Sequence, residues 1–158
     1  MVEQRFGLGF DSHPNEVGKP LFLGGVLFEG EAGLAGHSDG DAVCHAIADA
    51  LLGAAGLGDI GEHFPDDDPS IEGIAGLDLL GRTVALAATA GLRPWSCDVT
   101  IIADRPKLAG RRDEMRRAIA EVLEVPTERV SVKATRPEGL GLVGDGAACI
   151  ALAVMTGP

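Results

Sequence analysis

The chain has 158 residues, 46% of them hydrophobic, which is enough for one compact domain with a real core and excludes intrinsic disorder. Thirteen Lys and Arg against 24 Asp and Glu leave a net charge of −11, which argues against a nucleic-acid partner, because phosphate-backbone binding needs clustered cations. No apolar run is long enough to span a membrane and no basic leader precedes an apolar stretch, so the expectation is a cytoplasmic protein with no membrane contact.

In chain order, residues 5–11 read as a strand ending in a turn at Asp11-Ser12-His13. Residues 21–23 and 26–28 flank Gly24-Gly25 as a hairpin. Ser38 and Asp39 are good N-caps for a helix running to about residue 52, with Gly53 and Gly56 near its end. Residues 58–69 carry Gly, Pro and Asp without periodicity and read as a loop of functional length. Helices are expected over 72–90 and 111–124, the second ended by Pro126, and strands over 97–102 and 130–135. Residues 148–155 form a last apolar segment, strand or helix. The alternation of strands and helices predicts an α/β (α+β) single domain over 1–158, a mixed sheet layered with helices.

Three features look chemical but have simpler readings. Asp66-Asp67-Asp68 lacks the spaced ligands of a calcium loop and reads as a solvated, helix-capping turn. Arg111, Arg112, Arg116 and Arg117 are interleaved with Asp113, Glu114 and Glu121, which makes a mixed solvated face. Gly139 to Gly144 matches G-x-G-x-x-G, but only 14 residues follow, too few for the rest of a dinucleotide-binding unit. Cys44, Cys97 and Cys149 are far apart and read as buried thiols.

The metal-ligand signal is stronger. Three of the four histidines fall between residues 13 and 45. Asp11 and His13 are two apart, so on an extended strand they share a face. His45 is four residues beyond Asp41 on a helix, so those two also share a face. One carboxylate and two imidazoles would make a catalytic zinc site with an open fourth position. The competing reading is that these residues cap helices and face water.

The strings Gly9-Phe10-Asp11-Ser12-His13, Gly36-His37-Ser38-Asp39-Gly40-Asp41, Gly56-Leu57-Gly58-Asp59-Ile60-Gly61, Phe64-Pro65-Asp66 and Val132-Lys133-Ala134-Thr135 resemble the 2-C-methyl-D-erythritol 2,4-cyclodiphosphate synthase family, over nearly the whole chain. The resemblance implies a homotrimer with active sites between subunits. It implies a cytidine diphosphate-linked substrate whose 2-phosphate attacks the β-phosphorus, closing a cyclic diphosphate and expelling CMP. It further implies that Asp11, His13 and His45 bind zinc, and that a second ion, magnesium or manganese, bridges the phosphates with help from Glu138.

On the same likeness His37 and Ser38 contact the attacking phosphate, with Asp11, Ser12 and His13 beside them. Asp59, Ile60 and Gly61, with Phe64, Pro65, Asp66, Asp67 and Asp68, hold the methylerythritol part. Ala103, Asp104, Arg105, Pro106 and Lys107 form the cytidine pocket. Thr135, Arg136 and Glu138 meet the phosphates, His37, Thr135 and Arg136 acting catalytically, and Leu142 stands where the family often has an aromatic.

Two departures stand out. The family usually continues Lys-Ala-Thr with two more threonines and an acid, whereas here Thr135 is followed by Arg136-Pro137-Glu138, a guanidinium in place of a hydroxyl. The family's late G-R-G-E-G is reduced to Gly144-Asp145-Gly146, which removes an arginine associated with the trimer's central cavity.

Overall fold

A computed structural model describes residues 2–141 and 143–158, so Leu142 lies outside the described residues. Five strands form one mixed sheet in the order β4-β1-β7-β5-β6: β1 Glu3–Glu16, β4 Gly33–Leu34, β5 Arg93–Ala103, β6 Val130–Thr135 and β7 Gly146–Gly157. The short strands β2 Leu21–Leu23 and β3 Val26–Phe28 make the expected hairpin about Gly24-Gly25. The last apolar segment is therefore a strand, running antiparallel to both β1 and β5 at the centre of the sheet. No described helix is long and apolar enough to cross a membrane.

Three long helices, α1 Ala42–Ala55, α3 Gly76–Thr89 and α4 Arg112–Leu123, cover the sheet on one side. Helix α1 lies directly on β1 and β7 and is itself covered by α3, which explains why nearly all of it is buried and why a one-sided apolar stripe understates its environment. It ends at Gly56 in the left-handed region (φ 70°), whose N–H reaches the Gly53 carbonyl while Leu57 N–H reaches Leu52. All three cysteines are buried and unpaired, and burial pushes the Cys97 thiol up to about 12.

The close seat of α1 depends on two glycines. A Cβ at Gly7 would stand 1.9 Å from the Ala50 carbonyl oxygen, and one at Gly9 1.9 Å from that of Ala46. Both obstacles are helix backbone, which cannot rotate away. Gly7, Gly9, Asp11 and His13 alternate onto the same face of β1, so the glycines set how near the helix comes to the last two. Gly9→Ala is therefore expected to destabilise the fold by roughly 1–3 kcal/mol and to weaken metal binding as well, because Ala46 adjoins His45. Urea unfolding together with a zinc titration checks both effects.

Several boundaries differ from expectation. Strand β1 does not stop at residue 11; its ladder with β7 continues through Asp11↔Cys149 and His13↔Ala147, so these residues sit on rigid sheet. The α1 cap is Asp41, with Ser38 and Asp39 in the loop before it. The segment expected to be loop contains a short helix, α2 Ile60–His63, capped by Asp59, and a 3-10 turn, Pro69–Ile71, capped by Asp68. Helix α3 begins at Gly76, four residues later than expected. Helix α4 ends before Pro126, with Glu124 in the left-handed region.

Two of the four arginines near α4 are tied to local acids, Arg111 to Glu114 at 2.7 Å and Arg116 to Asp113 at 2.9 Å, while Arg112 Nε is buried without a hydrogen-bond partner. Gly139, Gly141 and Gly144 all take positive φ in turns, a glycine loop and not the start of a helix.

Candidate metal centre and its cleft

The ring of His13 and the carboxylate of Asp11 meet on β1, and the second turn of α1 delivers His45 from above. His13 Nε2 lies 2.7 Å from Asp11 Oδ2, His45 Nδ1 lies 3.2 Å from the same oxygen, and the two nitrogens are 3.3 Å apart. Four-coordinate zinc with bonds of about 2.0–2.1 Å separates its ligand atoms by about 3.3 Å, so this triangle has the size of one face of such a site. Among the described residues it is the one cluster of three such donors.

Electrostatics prepare the carboxylate. Burial alone would raise the Asp11 carboxyl, but hydrogen bonds from His13 and His45, and then their charges, hold it down at about 2, so it is a carboxylate throughout the neutral range. The hydrogen bond to Asp11 likewise raises His13, against burial. His45 Nε2 meets Ser38 Oγ at 3.0 Å, so the ring could donate to Ser38 and present Nδ1 to a metal in place of its hydrogen bond to Asp11. The donor set thus fits a divalent ion in ligand type and spacing.

Ser38 Oγ also accepts from Gly40 N–H at 3.1 Å, which fixes the hydroxyl in place. Ser38→Ala should reduce zinc affinity roughly 10–100-fold with the fold retained. Competition with a chromophoric chelator measures it.

Asp41 does not share a working face with His45, as its spacing suggested. It is fully buried and turned toward the β2–β3 hairpin, where it accepts from Gly24 N and Gly25 N at 2.8 and 2.7 Å while capping Val43 N and Cys44 N.

Beside the triad opens a cleft of about 790 Å³ lined also by His37, Ser38, Asp59, Ile60, Gly61, Phe64, Pro65 and Asp66. The structure thereby brings together most of the residues expected around the metal. Ser12 alternates onto the opposite, open face of the sheet, away from Asp11 and His13. Asp67 is exposed, and the Asp68 carboxylate is occupied in capping Ser70 N–H.

Asp104, Arg105, Pro106, Lys107 and Arg136 line a different cleft of about 880 Å³, and Ala103 and Thr135 line a smaller one of about 280 Å³ next to it. Glu138 is exposed, with φ 53°, and lines neither.

Sequence reasoning passed over two supporting residues. Lys19 Nζ donates to the Gly36 and Ser38 carbonyls at 2.7 and 2.9 Å and pins the loop that carries His37. Asp49, on α1, accepts from Ile60 N–H and so anchors α2 at the cleft edge. Neither has a local signal, since a surface lysine and a mid-helix aspartate are ordinary until folding supplies their partners. His63, the remaining histidine, is taken by the Leu57 carbonyl at 2.7 Å.

A helix pressed onto a sheet through glycines, with an Asp-x-His strand and a helix histidine converging at the mouth of a cleft, defines an α/β protein with a candidate metal centre. A family model, the YgbB family, matches residues 4–157, and the chain belongs to that family.

Among its relatives, 2-C-methyl-D-erythritol 2,4-cyclodiphosphate synthase of Symbiobacterium thermophilum is 51% identical over 153 residues, covering 96% of this chain and 98% of that protein. The bifunctional enzyme IspD/IspF of an Anaeromyxobacter species is 53% identical over 148 residues, covering 94% of this chain; the chain spans 38% of that longer protein. A solved structure of 2C-methyl-D-erythritol-2,4-cyclodiphosphate synthase in a CDP-bound form superposes with a TM-score of 0.88 at 36% identity, covering 96% of this chain and 99% of the other.

Proposed function

We propose that the chain converts 4-diphosphocytidyl-2-C-methyl-D-erythritol 2-phosphate into 2-C-methyl-D-erythritol 2,4-cyclodiphosphate and CMP, a phosphorus–oxygen lyase step in non-mevalonate isoprenoid precursor synthesis. The observation that carries it is the Asp11, His13, His45 triangle opening onto a cleft that also presents His37 and Ser38. The relatives' names and the CDP-bound neighbour support the substrate class. One oxygen of the 2-phosphate bonds to the β-phosphorus as the α,β-bridging oxygen leaves with CMP. Nucleophile and electrophile belong to one molecule, so the protein contributes mainly position and charge.

Asp11, His13 and His45 would hold zinc, which supplies a Lewis-acid charge to a phosphate oxygen when bound. His37 sits on the exposed loop pinned by Lys19, where it can donate to the attacking phosphate. Ser38, already accepting from His45 and Gly40, has its own hydroxyl proton left to give. Asp59 and the α2 segment, with Phe64, Pro65 and Asp66, wall off the methylerythritol part. Lys107, Thr135 and Arg136 face the nucleotide phosphates, with Ala103 to Pro106 around the cytosine. For the second ion, magnesium or manganese, the exposed carboxylate of Glu138 would serve as a ligand together with the substrate's phosphates.

Two features support assembly as a homotrimer. The triad cleft and the clefts lined by residues 103–107 and 135–136 have no residue in common within one chain, so a complete site calls for a neighbouring copy. The uncovered face of the sheet is apolar along β1 and β7, where Phe6, Leu8 and Phe10 are 62%, 70% and 58% exposed and Ile150 and Leu152 stand opposite Phe10 and Leu8.

The alternative of a nucleotide-binding trimer without turnover is not favoured, because the metal donors are complete. Incubation with substrate, zinc and magnesium tests the proposal: CMP release with a cyclic product supports it. Tight CDP binding without release would establish the binder, and a product heavier by one water would establish a hydrolase.

A further inference from the structure

Asp104, Pro106, Lys107 and Arg136 line both the 880 Å³ cleft and the 280 Å³ cleft and form their common rim, whereas Arg112 lines the smaller one alone. Beyond the rim the smaller cleft is largely apolar, walled by Ala103, Leu108, Ala109 and Ala134. Arg112 is the first residue of α4, where the positive end of the helix dipole disfavours a cation. Its Nε is buried without a hydrogen-bond partner, and no ion pair among the described residues includes it. The nearest acids along the helix, Glu114 and Asp113, are held by Arg111 and Arg116. A buried donor left unpaired weakens a fold, so an arginine with no acceptor at the wrong end of a helix calls for a partner from outside the chain. With Nε enclosed, what the side chain can offer that partner is the end of the guanidinium, its two Nη groups.

The parts of a nucleoside diphosphate laid across these clefts sort by chemistry. The rim cations Lys107 and Arg136 suit the diphosphate. The apolar walls of the smaller cleft suit a planar base, which is polar only along its edge, better than a phosphate, whose charge would lose its water there. Cytosine presents two adjacent acceptors on that edge, O2 and N3, and two parallel N–H groups of one guanidinium match them. Uracil presents O2 beside an N3–H, so one of the two donors would face a donor. We infer that Arg112 reads the base in the smaller cleft by donating to cytosine O2 and N3, and that it sets the preference of this chain for cytidine over uridine nucleotides. The inference rests on the proposed reading of these clefts as the nucleotide site.

Calorimetric titration of the zinc-loaded protein with CDP and with UDP, magnesium present throughout, tests it. Wild type should bind CDP roughly tenfold to a hundredfold more tightly than UDP. Arg112→Met keeps the stem and removes the donors; it should bind the two nucleotides within about threefold of each other, through weaker CDP binding with UDP little changed. Arg112→Lys, the milder change, keeps the charge without the two-pronged fork and should also lose most of the preference, which keeps the test decisive if the Met variant folds poorly. Equal affinity of wild type for CDP and UDP overturns the inference. So does a variant that keeps the wild-type preference, or one that weakens both nucleotides by the same factor, since loss of charge or of wall packing would do that without base reading. Failure of wild type to bind either nucleotide overturns the nucleotide-site reading itself, and this inference with it.

Discussion

His45→Ala is expected to abolish stoichiometric zinc and with it CMP release, by about a thousandfold or more if the ion contributes the several kcal/mol typical of metal electrostatics. The geometry makes the expectation sharp. Asp11 and His13 remain neighbours on β1 without His45, but two donors from one strand leave the ion open on the helix side. Removing the ring also costs the Ser38 hydroxyl one of its two partners, leaving Gly40 N–H alone to hold it. The fold should survive, because the seat of α1 is set by Gly7 and Gly9 against the helix backbone and not by the imidazole. Metal analysis after dialysis, with circular dichroism as the check on folding, decides the matter. A variant that keeps one zinc per chain and normal turnover would refute the ligand assignment.

Asp41→Ala should produce the largest loss of stability of any single change outside the hydrophobic core. The side chain is inaccessible to solvent and its two oxygens accept from four backbone N–H groups and the Cys44 thiol. Truncation leaves those donors buried and unpaired, a cost of roughly 3–5 kcal/mol. That is a large share of the 5–15 kcal/mol typical of a whole domain, and corresponds to a fall in Tm of about 6–20 °C. The effect is structural at its origin, since the carboxylate ties the β2–β3 hairpin to the start of α1. Thermal unfolding of the metal-free protein isolates it, because a shift seen only with zinc bound would place Asp41 in the metal site instead. Asp41→Asn should fall between wild type and Asp41→Ala, since it keeps one acceptor oxygen but sets an amide NH2 donor against neighbouring N–H groups.

The residues of the candidate site differ in how plainly the sequence announced them. Asp11 and His13 were legible because period-two alternation is a property of the strand itself. His45 was legible as a helix residue, but its partner was not: the four-residue spacing pointed to Asp41, and the cap geometry turned Asp41 the other way. Ser12 shows the reverse, since nearness in sequence to two candidate ligands puts its side chain on the other face of the sheet. The loop at residues 58–69 looked structureless because α2 has four residues, too few for any periodicity, and is held by Asp59 and Asp49. The length of β1 was hidden because its far half is polar and contains Pro14; pairing with β7 keeps it extended.

Local pattern therefore decided what local forces decide. The hairpin about Gly24-Gly25, the strand at residues 130–135, the rhythm of strands and helices, the buried thiols and the types of metal donor all follow from turn chemistry, side-chain periodicity and apolar content over a few residues. What only the folded chain decided is convergence. The approach of α1 to β1 through Gly7 and Gly9, the pinning of the His37 loop by Lys19 and the inward turn of Asp41 each join residues 16 or more positions apart, and the separation of the triad cleft from the Lys107 and Arg136 rim is likewise set by the fold. Such contacts depend on how sheet and helices pack, and no short window of sequence carries that information.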